Sequence, residues 1–165
     1  IYGTEKIKTI GDAYMCASGI PEPDPAHALN ALLMGLAMLE AVEKSNADRE
    51  RKGMTEWPVR IGIHTGPVVA GVVGEKKFAY DIWGDTVNLA SRMESHGEAG
   101  RLNISGVTYA QVMDYVEVAP RGPIKVKGKG ELNMYFVLRL KAEWSADPKG
   151  RVPNDALLAK RKAGQ

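Results

Sequence analysis

The chain has 165 residues, 44% of them hydrophobic and 25% charged, which suits one domain around a single core and excludes a disordered chain. Lys and Arg number 22 against 20 Asp and Glu, a formal net charge of +2, and the basic excess falls in residues 141–165. Residues 1–140 hold 16 basic and 17 acidic residues, which does not suggest a nucleic-acid face, and no nucleic-acid partner is expected, while a single cysteine, Cys16, excludes an internal disulfide and predicts a reducing, cytoplasmic setting, whether or not the parent protein is membrane-attached.

Residues 5–10 alternate polar and apolar with period two, and residues 13–17 follow directly after Gly11-Asp12. This predicts a β-hairpin with Asp12 at its tip. The stretch Pro21-Glu22-Pro23-Asp24-Pro25 is a loop, since proline removes donors and restrains its neighbour. Leu29, Leu32, Leu33, Leu36, Leu39 and Val42 then recur at helical spacing, which predicts an amphipathic helix from 26 to about 49. Its most apolar part, residues 28–42, is interrupted by Asn30 and Glu40 and is shorter than the roughly 20 residues that cross a bilayer, so no membrane segment is expected.

Residues 59–64 and 68–73 are both β-rich and are parted by Gly66-Pro67, which predicts a second hairpin. After a loop over 74–77, residues 80–83 lead into a helix over 85–96, with Asp85 as N-cap and Val87, Ala90 and Met93 as its apolar stripe. Asn88 and Arg92 are four apart and share one face of it. A strand over 101–104, a helix capped by Ser105, a strand over 115–118, the lysines Lys125, Lys127 and Lys129 between glycines, and a last strand over 134–140 complete the pattern. The order predicts a mixed sheet with helices on one face. Residues 1–140 read as the domain and 141–165 as a polar C-terminal tail with a short helix over 155–162.

The chain has no zinc spacing, no G-x-x-x-x-G-K-[ST] loop and no G-x-G-x-x-G after a strand. What remains is a dispersed polar set. Asp12 could hold a hard cation beside a phosphate, although turn aspartates ordinarily just form turns. Lys8 precedes it on the strand, where a solvated lysine is commonplace. Asp81 lies in the apolar run 80–83, so it needs a partner or faces water. Asn88 and Arg92 could hold a sugar oxygen and a phosphate, the arginine as a permanent forked donor, against the ordinary solvated helix arginine. Lys125, Lys127 and Lys129 could meet a polyanion or simply blunt a strand edge.

Taken in order, Lys8-Thr9-Ile10-Gly11-Asp12-Ala13-Tyr14-Met15, Arg60-Ile61-Gly62-Ile63-His64-Thr65-Gly66-Pro67-Val68, the block from Tyr80 to Glu94, and Val126-Lys127-Gly128-Lys129-Gly130 resemble the class III nucleotidyl cyclase catalytic domain. The resemblance runs from about 5 to 137. It implies an α+β, ferredoxin-like βαββαβ domain with a mixed, mostly antiparallel sheet. The family pattern opens with a strand bearing another metal aspartate and then one or two helices, and none of these precedes Ile1. An N-terminally incomplete domain, inactive alone, is the expectation.

The resemblance also implies roles. Asp12 would be one of two aspartates that bind a pair of Mg²⁺ or Mn²⁺ ions. Lys8 and Asp81 would hydrogen-bond the purine, with backbone contacts from Ile82; Asn88 and Arg92 would orient the ribose and stabilise the transition state; Lys127 would contact the triphosphate. The active form would be a homodimer with shared active sites. Guanylyl cyclases of the family carry Glu and Cys in place of Lys8 and Asp81, so the expected reaction is ATP to 3′,5′-cyclic AMP and pyrophosphate. A catalytically silent dimerisation module and a guanylyl cyclase are the competing readings.

Overall fold

The computed structural model describes residues 2–74, 78–126, 128 and 130–163. Strands β1 (Thr4–Ile10) and β2 (Ala13–Ser18) form the predicted antiparallel hairpin. Ile10 pairs with Ala13 across the two-residue turn, and Gly11 at φ 61 fills the first turn position, where a side chain would be strained. Asp24 Oδ1 accepts the Ala26 amide at 2.8 Å, and helix α1 (His27–Arg51) follows with the leucine stripe buried.

The central sheet has four strands: β3 (Ile61–Ile63), β6 (Leu102–Ser105), β8 (Gly130–Leu140) and β7 (Val116–Val126), side by side in that order. Strand β3 pairs parallel with β6, and the other ladders are antiparallel. A separate antiparallel pair joins β4 (Val69–Val73) to β5 (Ala79–Trp83). The second hairpin expected over 59–73 is therefore not formed. Gly66-Pro67 does not turn β3 onto β4; it lies against α2 (Asp85–Ser95), where Thr86 Oγ1 donates to the Pro67 carbonyl at 2.6 Å. A Cβ on Gly66 would fall 2.6 Å from that same hydroxyl oxygen, so the glycine serves close approach to the helix.

Helices cover both faces of the sheet, not one. Leu102 and Ile104 join Leu32, Leu33 and Leu36 of α1 and Val112 of α3 (Gly106–Val112) in the main core. Asn103, between them, turns the other way and donates to the Met93 carbonyl of α2 at 2.7 Å. Leu89 and Met93 of α2 pack with Ile124, Val126 and Met134 in a second, smaller cluster. Every residue of β6 is buried as a result. Ser105 caps α3 as expected, accepting the Thr108 amide at 3.3 Å, whereas α2 is entered through Gly84 at φ 132 and Asp85 occupies its first turn instead of the cap.

Strand β3 lies close against α2 at Gly62. A Cβ on Gly62 would stand 2.0 Å from the Glu94 amide nitrogen and 2.5 Å from the Met93 carbonyl carbon. Backbone cannot yield as a side-chain tip can, so Gly62→Ala is expected to lower stability by about 3 kcal/mol, read as a fall in the denaturant midpoint.

The chain after β8 packs on this frame. A short 3-10 turn (Ala142–Trp144) sets the Trp144 ring 5.7 Å from that of Tyr115, Lys149 Nζ pairs with Glu43 Oε1 of α1 at 2.7 Å, and α4 (Asp155–Ala163) inserts fully buried Leu157 into the main core.

Candidate active site

The site is built on the β1–β2 hairpin, β5 and the helix that follows. The register of β1 slips between Lys6, opposite Cys16, and Lys8, opposite Met15, so Ile7 is an extra residue. A bulge of this kind re-aims the side chains beyond it. Lys6 sets its ammonium 5.7 Å from the Tyr14 ring centre, while Lys8 Nζ reaches Asp81 Oδ2 at 2.7 Å, a partner 73 residues away. Opposite Asp81 on β4 lies Gly71, which leaves the carboxylate no cross-strand side chain to contend with. The next residue, Ile82, is buried and donates its amide to Asp81 Oδ1 at 2.9 Å.

These donors favour the ionised form: the Lys8 ammonium first, then the Ile82 amide, hold the Asp81 carboxyl below the usual carboxylate range. A depressed carboxylate stabilises the fold above its ordinary pKa, and that contribution is lost as pH falls through the lowered value. Lys8→Met is therefore expected to raise the Asp81 pKa toward the ordinary value and to move acid unfolding to higher pH. Carbon-detected NMR titration of the carboxyl measures this, and an unmoved Asp81 titration would refute the coupling.

Gly84, in a backbone conformation that favours glycine, turns the chain from β5 into α2. With Leu89 and Met93 facing the core, Asn88 and Arg92 fall on the solvent side. Among the described residues neither of these two side chains makes a hydrogen bond or ion pair. Their terminal donors are thus available to a ligand. Asp12 stands exposed at the hairpin tip. Among the described residues no three His, Cys, Asp or Glu side chains gather to hold a metal. Hard divalent cations take about six oxygen ligands, so Asp12 alone does not make a complete site for a cation pair. Lys127 lies outside the described residues. The structure thus brings Lys8, Asp81 and Ile82 together and places Asn88 and Arg92 on one face of the next helix, while Asp12 makes no hydrogen bond or ion pair with any of them among the described residues. Cys16 is half-buried, and burial pushes its thiol up, as suits a packing residue.

Two residues that position α2 were not singled out in the sequence. Gly62 permits its contact with β3, and Asn103 ties down its last turn. The available signal was a lone amide in the otherwise apolar run Leu102-Asn103-Ile104.

Comparison with known proteins bears on this geometry. The family model described as the adenylate and guanylate cyclase catalytic domain matches residues 2–139. An adenylate cyclase of Mycobacterium tuberculosis is 41% identical over 147 residues, covering 89% of this chain and 32% of the relative. The chain thus spans about a third of that relative's length. Among solved structures, the adenylyl cyclase CyaB from P. aeruginosa superposes with a TM-score of 0.77 at 32% identity, covering 87% of this chain and 76% of that one. The guanylate cyclase domain of RhGC from Catenaria anguillulae, in complex with GTP, gives 0.76 at 38% identity, covering 85% and 75%.

Proposed function

The chain belongs to the adenylate and guanylate cyclase catalytic domain family, and from that membership we propose that the complete domain of the parent protein, to which this chain supplies site residues, closes ATP into 3′,5′-cyclic AMP with release of pyrophosphate. The observation that supports ATP is the Lys8–Asp81 pair at 2.7 Å. An ammonium only donates and an ionised carboxylate only accepts. Adenine, with a ring-nitrogen acceptor beside an amine donor, satisfies both when it parts them. Guanine presents the reverse order and would set donor against donor and acceptor against acceptor.

In the reaction the ribose 3′-hydroxyl releases its proton to solvent and its oxygen forms a bond to the α-phosphorus as the bond to pyrophosphate breaks. The protein's share is positioning and charge neutralisation. Asn88 orients the ribose, Arg92 meets the negative charge that grows on the α-phosphate, Ile82 adds backbone contacts to the base, and Lys127 contacts the triphosphate. The family is metal-dependent, and Asp12 is our candidate for one ligand of a Mg²⁺ or Mn²⁺ pair.

The proposed active form is a homodimer, in which Asp12 of one protomer serves the purine and ribose residues of the other. The β4–β5 pair supports this. Val69, Val72 and Phe78 on and beside it are 68%, 64% and 77% exposed, and a two-stranded hairpin is marginal by itself in water. A second copy would cover it. No described helix is long and apolar enough to cross a membrane.

Incubating the purified parent protein with ATP or GTP and Mn²⁺ tests the proposal. Cyclic AMP and pyrophosphate in equal amounts are expected from ATP, with much slower turnover of GTP. Preference for GTP would overturn the substrate assignment, and no turnover of either would favour the silent dimerisation module.

A further inference from the structure

The segment after β8 lies beyond residues 2–139 of the family match, yet it is tied to the hairpin that carries Lys8 and Asp12. That hairpin forms its own two-stranded sheet among the described residues, with no strand ladder to the four-stranded one. Both of its strands pack against α1, and side-chain ties add to that packing. Lys8 to Asp81 is one, at mid-strand. Another lies at the open end and begins in α4.

Asn154 caps α4 by accepting the Leu157 amide at 3.0 Å, and Leu157 anchors the helix in the core. Farther along, Arg161 Nε donates to Oδ1 of Asn30, which is fully buried on α1, and the guanidinium sits 5.8 Å from the Tyr2 ring centre. The Asn30 amide nitrogen donates onward to Asp24 Oδ2 at 2.7 Å and Ser18 Oγ at 3.3 Å, and the Ser18 hydroxyl donates to the Gly3 carbonyl at 3.0 Å. Gly3 immediately precedes β1 and Ser18 closes β2, so the network spans both strands where the hairpin leaves the body. Both Asn30 donors are engaged, and its oxygen accepts from Arg161 Nε. Without that donor a buried acceptor is orphaned and the amide loses its fixed orientation.

We infer that Arg161 is a positioning residue for the β1–β2 hairpin, so that the C-terminal segment sets the placement of Lys8 and Asp12. The functional half of this inference rests on the cyclase reading; the structural half does not.

Hydrogen exchange of the amides in residues 4–18, together with nucleotide turnover, tests it in the parent protein for the wild type, Arg161→Ala, Arg161→Lys, Ser18→Ala and Lys149→Ala. Arg161→Ala should keep a cooperative unfolding transition, speed exchange of the hairpin amides about tenfold, and raise KM for ATP more than it lowers kcat. Arg161→Lys should recover part of both effects. Ser18→Ala cuts the same network without touching α4 and should reproduce the faster exchange, which keeps the test decisive if Arg161→Ala does not fold. Lys149→Ala, at the other end of α1, should leave the hairpin at wild-type exchange. Unchanged hairpin exchange in folded Arg161→Ala or in Ser18→Ala overturns the inference, as does an equal effect of Lys149→Ala. Faster exchange with no turnover even in the wild type would sink the cyclase reading while sustaining the structural coupling.

Discussion

If the proposed reaction holds, Arg92→Ala is expected to lower cyclic AMP formation by about 10²–10³-fold, the usual cost of removing one preorganised donor from a developing oxyanion. The fold should survive it. Arg92 lies on the exposed side of α2, opposite Leu89 and Met93, and its backbone carbonyl alone accepts the helix-ending bonds from His96 and Ser95. Stability should therefore change by no more than about 0.5 kcal/mol. Because Asp12 is assigned to the facing protomer's site, Asp12→Ala should be as inactive as Arg92→Ala. An equimolar mixture should recover up to about a quarter of wild-type activity: half the dimers are mixed, and each keeps one of two sites. Rate assays on each variant and on the mixture measure this. Substantial turnover by Arg92→Ala removes it from the chemistry, and inactivity of the mixture removes the shared site.

Lys8→Glu combined with Asp81→Cys is expected to turn the proposed ATP preference toward GTP, with the ratio of kcat/KM values moving by at least about a hundredfold. The exchange replaces a pure donor by an acceptor and a pure acceptor by a weak donor, which inverts the pattern read on the purine edge. The double change should also be better tolerated than either single one. Lys8→Glu alone sets two carboxylates where a 2.7 Å ion pair stood, and Asp81→Cys alone leaves the ammonium with no counter-charge there. Competition between ATP and GTP in one reaction measures the ratio. An unchanged preference would mean that other residues read the base.

Much of this molecule is local enough to be legible in its sequence. The two-residue turn at Gly11-Asp12, the leucine spacing of α1 and the Ser105 cap each depend on neighbours within a few positions. The same holds for Asn88 and Arg92, whose shared face follows from helical spacing alone. The four motif blocks were likewise readable, since they are runs of consecutive residues.

Pairing between distant segments is another matter. Residues 59–64 and 68–73 each looked like strands, but β propensity names no partner. Packing Gly62 against α2 and setting β3 beside β6 holds the first run in the central sheet, while the second pairs with β5 and stays exposed. Ser18 and Asn30 became joined to Arg161 only because Leu157 found room in the core, which turned a polar C-terminal stretch into a packed helix. The meeting of Lys8 with Asp81 required a bulge at Ile7 and the approach of two separate hairpins. By itself the sequence determined the family, the local elements and the chemical types of the site. The tertiary structure decided which strands pair, which sheet faces are covered and which charges meet, because those outcomes depend on total burial across the whole chain and no single segment contains it.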